Sequence, residues 1–200
     1  MELDSSLPPL RTRVTPELSR ETLRDLIGEA MQATGYLESP APAAALRWIE
    51  TFVEAFGDEL ATVADAIPLV ADLRAEAVVL PALQLERLRD RQVLFFLDTV
   101  SQYVDALPEL RGLALEHDLL EIAKEFGLAP ADALWAVRMA LTARAEGPPL
   151  ELLFPLLGHD RIMMRIGAVN SHLLHGRGLE PLAFGPDGKP FEPIRGRAPG

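Results

Sequence analysis

Up to residue 180 the chain has no run in which apolar and polar residues alternate. Its apolar residues instead recur three and four apart, in segments each closed by a glycine or a proline. A period near ~3.6 with that punctuation builds helices and leaves a sheet nothing to form from. The reading is therefore all-α: a bundle or cage of about eight helices with an extended C-terminal tail.

Thr15-Pro16-Glu17 has the form of a helix start, with Leu18, Leu23, Leu26, Ile27, Ala30 and Met31 on one stripe before Gly35. Pro40 and Pro42 precede a second helix carrying Leu46, Ile49, Phe52, Val53 and Phe56, closed at Gly57. A short helical piece over 59–67 is expected to break at Pro68, and 69–80 is ambiguous by period. The longest helix is expected over about 83–106, stopped by Pro108, and another over 109–126, stopped by Gly127. Ala129-Pro130 opens a helix through about Ala145. Gly147-Pro148-Pro149 makes a tight corner, Leu150–Leu157 a short helix ended by Gly158, and 159–174 the last helix. Residues 1–14 read as a flexible leader and 15–175 as the folded domain, or as two subdomains over 15–80 and 81–175. Residues 176–200 read as an irregular tail, because Pro186, Pro190 and Pro193 oppose a sheet.

With 48% apolar and 24% charged residues, a 200-residue chain can bury a core and is not generally disordered. The longest apolar stretch, Ala77 to Leu83, falls far short of the ~20 residues of a membrane span. The acidic start MELDSS has no apolar centre to serve as a secretion signal, and there are no cysteines, so a cytoplasmic protein is expected. Residues 1–130 hold 11 basic against 23 acidic side chains, a net of −12; residues 131–200 hold 8 against 7, a net of +1. Overall attraction to a polyanion is excluded, so any nucleic-acid contact belongs to the last third. Seventeen of the 19 basic residues are arginine, whose planar fork pairs phosphate and stacks on bases, although GC-rich codon usage explains the bias as well.

Catalytic patterns are missing. There is no Gly-rich phosphate loop and no Gly-x-Ser-x-Gly elbow. His172 and His175 lie three apart, but a metal needs further ligands and only Asp160 and Glu180 are near in sequence, so no metal or other cofactor is expected. The acidic residues Glu109, Glu116, Asp118, Glu121 and Glu125 read as a solvated helix face. Trp48, Phe52 and Phe56 read as core, and Trp135 as core or as a brace for Arg138.

The informative stretch is 134–169, LWAVRMALTARAEGPPLELLFPLLGHDRIMMRIGAV. An arginine in a helix, a Gly-Pro-Pro corner and flanking arginines suit an unstacked base, the form in which single-stranded RNA loops are read. Val137-Arg138, Ala140-Leu141-Thr142, Gly147-Pro148-Pro149-Leu150, Leu156-Leu157-Gly158 and Arg165-Ile166 together resemble the C-terminal anticodon-binding domain of bacterial glutamyl-tRNA synthetases. The resemblance extends more weakly over about 20–175. It implies a free-standing helical cage that touches a tRNA anticodon loop, with tRNA-Glu the candidate ligand and a separate synthetase or another protein as a further partner. It implies that Arg138 and the corner Gly147, Pro148, Pro149 and Leu150 contact anticodon bases. Thr142 and Arg144 join them as candidates, with Arg161 and Arg165 as outer charges.

Three departures accompany the resemblance. No His-Ile-Gly-His or Lys-Met-Ser-Lys element is present, so the chain is not expected to aminoacylate by itself. The glycine usual after Thr142 is Ala143, at a cost of order 1 kcal/mol if positive φ is needed. Where the family often uses another base-reading arginine, near Phe56, this chain has Glu50, Glu54, Asp58 and Glu59. The alternative is a protein-interaction or regulatory scaffold that has lost RNA binding.

Overall fold

A computed structural model describes residues 8–110 and 114–175. Among the described residues eight α-helices form the fold: α1 Arg20–Ala33, α2 Ala43–Phe56, α3 Ala66–Arg74, α4 Ala82–Leu88, α5 Arg91–Ala106, α6 Leu115–Glu125, α7 Pro130–Thr142 and α8 Leu150–His175. Short 3-10 segments at Pro8–Arg11, Gly57–Glu59 and Val63–Asp65 join them. The all-α bundle agrees with the helical period of the sequence. Residues 1–7 of the expected leader and the expected tail, 176–200, lie outside the described residues.

The elements depart from expectation where a cap or a packed side chain outweighs the pattern. Residues 8–14 do not behave as a leader. Leu10 is 3% exposed in the core, and the strand-like bridge of Arg13 with Thr62 brings Val14 N–H to the Ala61 carbonyl at 2.9 Å. Thr15-Pro16 forms a turn rather than a helix start; α1 begins later, where the Ser19 hydroxyl accepts the Thr22 N–H at 3.1 Å. Pro68 does not break a helix. It is the third residue of α3, in the first turn, where no intrahelical partner needs its missing N–H. The long helix expected over 83–106 is two helices. Asp90 caps α5 by accepting the Gln92 N–H at 2.7 Å, and the chain turns there. Gly158 (φ 75°, ψ 163°) divides α8 into the two helical pieces expected on either side of it.

Helix α8 is the axis of the bundle and packs against α2, α3, α5, α6 and α7. Its Leu150, Leu153, Phe154, Ile162, Ile166 and Val169 are buried with Phe52, Phe96, Leu97, Leu119 and Leu141 from the surrounding helices. Phe52 stacks on Trp48 and meets Phe56, with ring centroids 5.5 and 5.2 Å apart.

Two of the acidic residues expected on a solvated face are structural partners. Asp118 accepts the Tyr103 hydroxyl at 2.5 Å, and Glu116 belongs to the site described below. Burial, then the Asp118 bond and its charge, push the Tyr103 hydroxyl up to about 12. An acid raised this way binds its proton more tightly when folded. Its contribution is therefore whole below the unfolded value of about 10 and is lost as pH climbs from there through about 12. Tyr103→Phe is expected to cost about 1 kcal/mol at neutral pH and to flatten that alkaline decline, as denaturant unfolding across pH checks.

Candidate nucleic-acid interface

Helix α3 ends at Arg74 and α7 at Thr142, and both C-termini face Arg165 of α8. The last carbonyls of a helix have no intrahelical donor, and the end carries roughly half a negative charge. Arg165 satisfies both ends. One guanidinium nitrogen donates to Leu141 O; the other donates to Asp72 O and Ala75 O at 2.5 Å and reaches Leu73 O at 3.4 Å. The residue is 1% exposed, and burial pushes its guanidinium down to about 10, helped by the neighbouring Arg161 charge and opposed by Asp72. It stays protonated at neutral pH. The outer charge expected at Arg165 is thus an inner clamp, because the two helix ends require a cation between them.

The clamp ties together two walls. One is the extended segment after α3, with Ala75, Ala77, Val78 and Val79; the other is the end of α7 and the 146–148 corner. Between them a cleft of about 320 Å³ opens, floored by Phe56, Leu73, Leu153 and Arg165. That lies at the lower end of the range for small-ligand pockets. Val79, 65% exposed, gives the rim an apolar edge.

Helix α7 stops before the Ala145 expected from sequence because Ala143 adopts left-handed φ 57°, ψ 18°, its N–H still bonded to Met139 O at 2.9 Å. The turn keeps the backbone shape for which glycine is suited. Ala143→Gly is therefore expected to stabilise the fold by about 1 kcal/mol, a rise of roughly 2–4 °C in melting temperature for a domain of this size. Thermal unfolding checks it.

Arg138 does not project freely into the cleft. Its side chain is 13% exposed; one guanidinium nitrogen donates to Pro148 O and the other to Glu116 Oε1 at 2.7 Å. The same Glu116 oxygen accepts the Leu150 N–H at 3.2 Å, and Glu151 in turn accepts the Glu116 N–H at 3.0 Å. Glu116 therefore ties the start of α8 to Arg138, and Arg138 fixes the carbonyl of the corner. Trp135 does not brace Arg138; the Arg87 guanidinium lies over its ring at 3.8 Å and pairs with Asp132 at 2.5 Å.

Of the nine candidates, Arg138, Thr142, Arg144, Gly147, Pro148 and Arg165 line the cleft. Thr142 spends its hydroxyl proton on Arg138 O at 2.8 Å. Arg144 is about half exposed, with Asp72 at 3.8 Å. Pro149 is exposed beside the corner, and Arg161 is half-buried beyond the α3 end. The Leu150 side chain is wholly buried in the core and is not available to a base; the helix start it opens points it inward. Within 50–59 only Phe56 lines the cleft; Glu50 pairs with Arg24 and Asp58 with Arg20 elsewhere. The acids at the cleft are instead Asp72 and Glu146. Phe56, Val78 and Val79 also line the cleft and were not among the site residues expected from sequence. The apolar run before Pro81 was the one available signal.

Among the described residues no group of three or more His, Asp or Glu gathers to hold a metal. No helix among them is long and apolar enough to cross a membrane.

Two helix ends and the Gly-Pro corner thus border an open cleft in an all-α bundle. The family model described as "Anticodon binding domain" matches residues 25–169, and the chain belongs to that family. Similar proteins include the glutamate–tRNA ligase of Akkermansia muciniphila, 32% identical over 132 residues, covering 66% of this chain and 28% of that protein. The glutamate–tRNA ligase of Alkaliphilus metalliredigens is 25% identical over 160 residues, covering 79% of the chain and 32% of that protein. That of Listeria monocytogenes is 21% identical over 140 residues, covering 68% and 28%. The chain thus spans about a third or less of the length of these relatives, and the span corresponds to their anticodon-binding region rather than their catalytic core.

Proposed function

We propose that the chain is a tRNA-binding module that takes one unstacked anticodon-loop base into the cleft between residues 75–79 and the 146–148 corner, without aminoacylating on its own. The observation that carries this is the cleft itself, with an apolar wall at Ala77, Val78 and Val79 facing Arg138, Gly147 and Pro148, which are positions the glutamyl-tRNA synthetase resemblance selects. Apolar walls favour an unstacked base. Arg138 acts by holding the corner in shape, since Glu116 and Pro148 occupy its guanidinium. Arg144 is the cation best placed to meet the RNA directly, because it is half exposed and only loosely paired.

Anisotropy titration of labelled tRNA-Glu against bulk tRNA tests the proposal. Saturable, salt-sensitive binding with a preference for tRNA-Glu supports it, and no saturation at low salt removes it. A protein-docking role is the second reading, favoured by the acidity of residues 1–130 and by the Glu116 carboxylate on Arg138. A protein partner retained after nuclease treatment, with no tRNA bound, would favour that reading.

A further inference from the structure

Arg20, Arg24, Arg87, Arg89, Arg138 and Arg144 each have a carboxylate within 4 Å. Arg74 and Arg161 are not among them. They sit together at the end of α3, beside the cleft wall. Arg161 Nε donates to the Arg74 carbonyl at 3.1 Å and one terminal nitrogen to Leu157 O at 3.2 Å; Arg74 donates to Tyr36 O at 2.6 Å and lies over the Trp48 ring at 5.7 Å. Among the described residues, no carboxylate lies within ion-pair distance of either.

The local balance of charge is positive. Arg74, Arg161 and Arg165 gather here, while Arg144 and Asp72 offset one another. Against those three cations stand two helix ends of roughly half a negative charge each. Carbonyls fix both guanidinium forks but leave their charge uncancelled. Burial first, and then the charge of Arg161, hold the Arg74 guanidinium below its ordinary value, so the two cations repel. An anion placed against both relieves that repulsion.

We propose that Arg74 and Arg161 form a phosphate-binding pair that holds one backbone phosphodiester of the tRNA as its strand enters the cleft. The guanidinium fork matches phosphate geometry, and carbonyl bonds together with the Trp48 stack limit the side-chain freedom lost on binding. The assignment rests on the tRNA-binding reading above. It adds a sequence-independent contact beside a base-reading cleft, the division of labour usual at nucleic-acid interfaces.

The test uses the whole chain and two probes. Inorganic pyrophosphate titrated into protein labelled with nitrogen-15 on arginine is expected to shift the Nε signals of Arg74 and Arg161 saturably while leaving Arg87 in place. With tRNA, the Arg74→Gln plus Arg161→Gln variant is expected to bind roughly tenfold more weakly and to lower the slope of log affinity against log salt by about 1. The corresponding pair of lysine substitutions keeps the charge and is expected to keep most of the slope, and matching melting curves separate this from unfolding. Unshifted arginine signals overturn the proposal, as does a glutamine variant that binds tRNA with unchanged affinity and slope while the wild-type chain binds. Failure of the wild-type chain to bind tRNA at all removes the tRNA reading and the phosphodiester assignment together.

Discussion

Arg165→Met is expected to destabilise the chain by about 4 kcal/mol. The magnitude follows from what the side chain does. Methionine fills comparable space, so little cavity is left, but the carbonyls of Asp72, Ala75 and Leu141 lose their donor in a site with almost no solvent. Each buried polar group left unsatisfied costs about 1–3 kcal/mol. Two helix C-termini also lose the cation between them, worth up to about 2 kcal/mol in a partly buried setting. Desolvation of the guanidinium, the cause of its lowered pKa, offsets part of this in the variant's favour. Arg165→Lys keeps the charge but not the fork, and three carbonyls on two helices cannot all be reached by one ammonium. It is expected to lose about half as much. Denaturant unfolding measures both. A methionine variant as stable as the parent would mean that the two helix ends are satisfied without the clamp.

Opposite outcomes are expected from Arg138 and its partner Glu116. Arg138→Ala removes both bonds that fix the corner and is expected to cost about 2 kcal/mol of stability, with solvent around Glu116, a third exposed, softening the loss. It should also weaken tRNA binding at least tenfold, because the 146–148 wall is no longer held. Glu116→Gln keeps an oxygen that can accept from both Arg138 and the Leu150 N–H, the two bonds that Glu116 Oε1 takes now. It leaves the arginine uncancelled and removes a negative charge near the cleft. Binding is then expected to strengthen about threefold and to become steeper in salt. If both variants weaken binding equally, the pair acts on the fold alone. Anisotropy at several salt concentrations decides between these outcomes.

What could be read from the sequence was what backbone chemistry forces. Gly158, Pro130 and the 147–149 corner set bends wherever they stand, so the break in α8, the start of α7 and the site's corner were visible in advance. The cost set on Ala143 if its turn needed positive φ applies, because the residue adopts φ 57°. The division between α4 and α5 was hidden because Asp90 caps through a single side-chain bond inside an unbroken apolar stripe. Arg165 was misjudged for a different reason. Burying a charge is normally prohibitive, and it is tolerable here only because two helix ends from distant parts of the chain converge on it. The same long-range meeting brings the 75–79 wall to the corner, and no local pattern records it. Glu116 looked solvated because its neighbours in sequence are acidic, whereas its partners, Arg138 and the start of α8, come from later in the chain.

Photocrosslinking from the cleft rim tests the placement of the RNA most directly. A benzophenone amino acid at Val79, the exposed apolar edge of the cleft, is expected to label bound tRNA-Glu within the anticodon loop, and excess unlabelled tRNA should abolish the product. Crosslinks confined to the acceptor arm, or none from this position under saturating tRNA, would contradict the assignment of the cleft to an anticodon base.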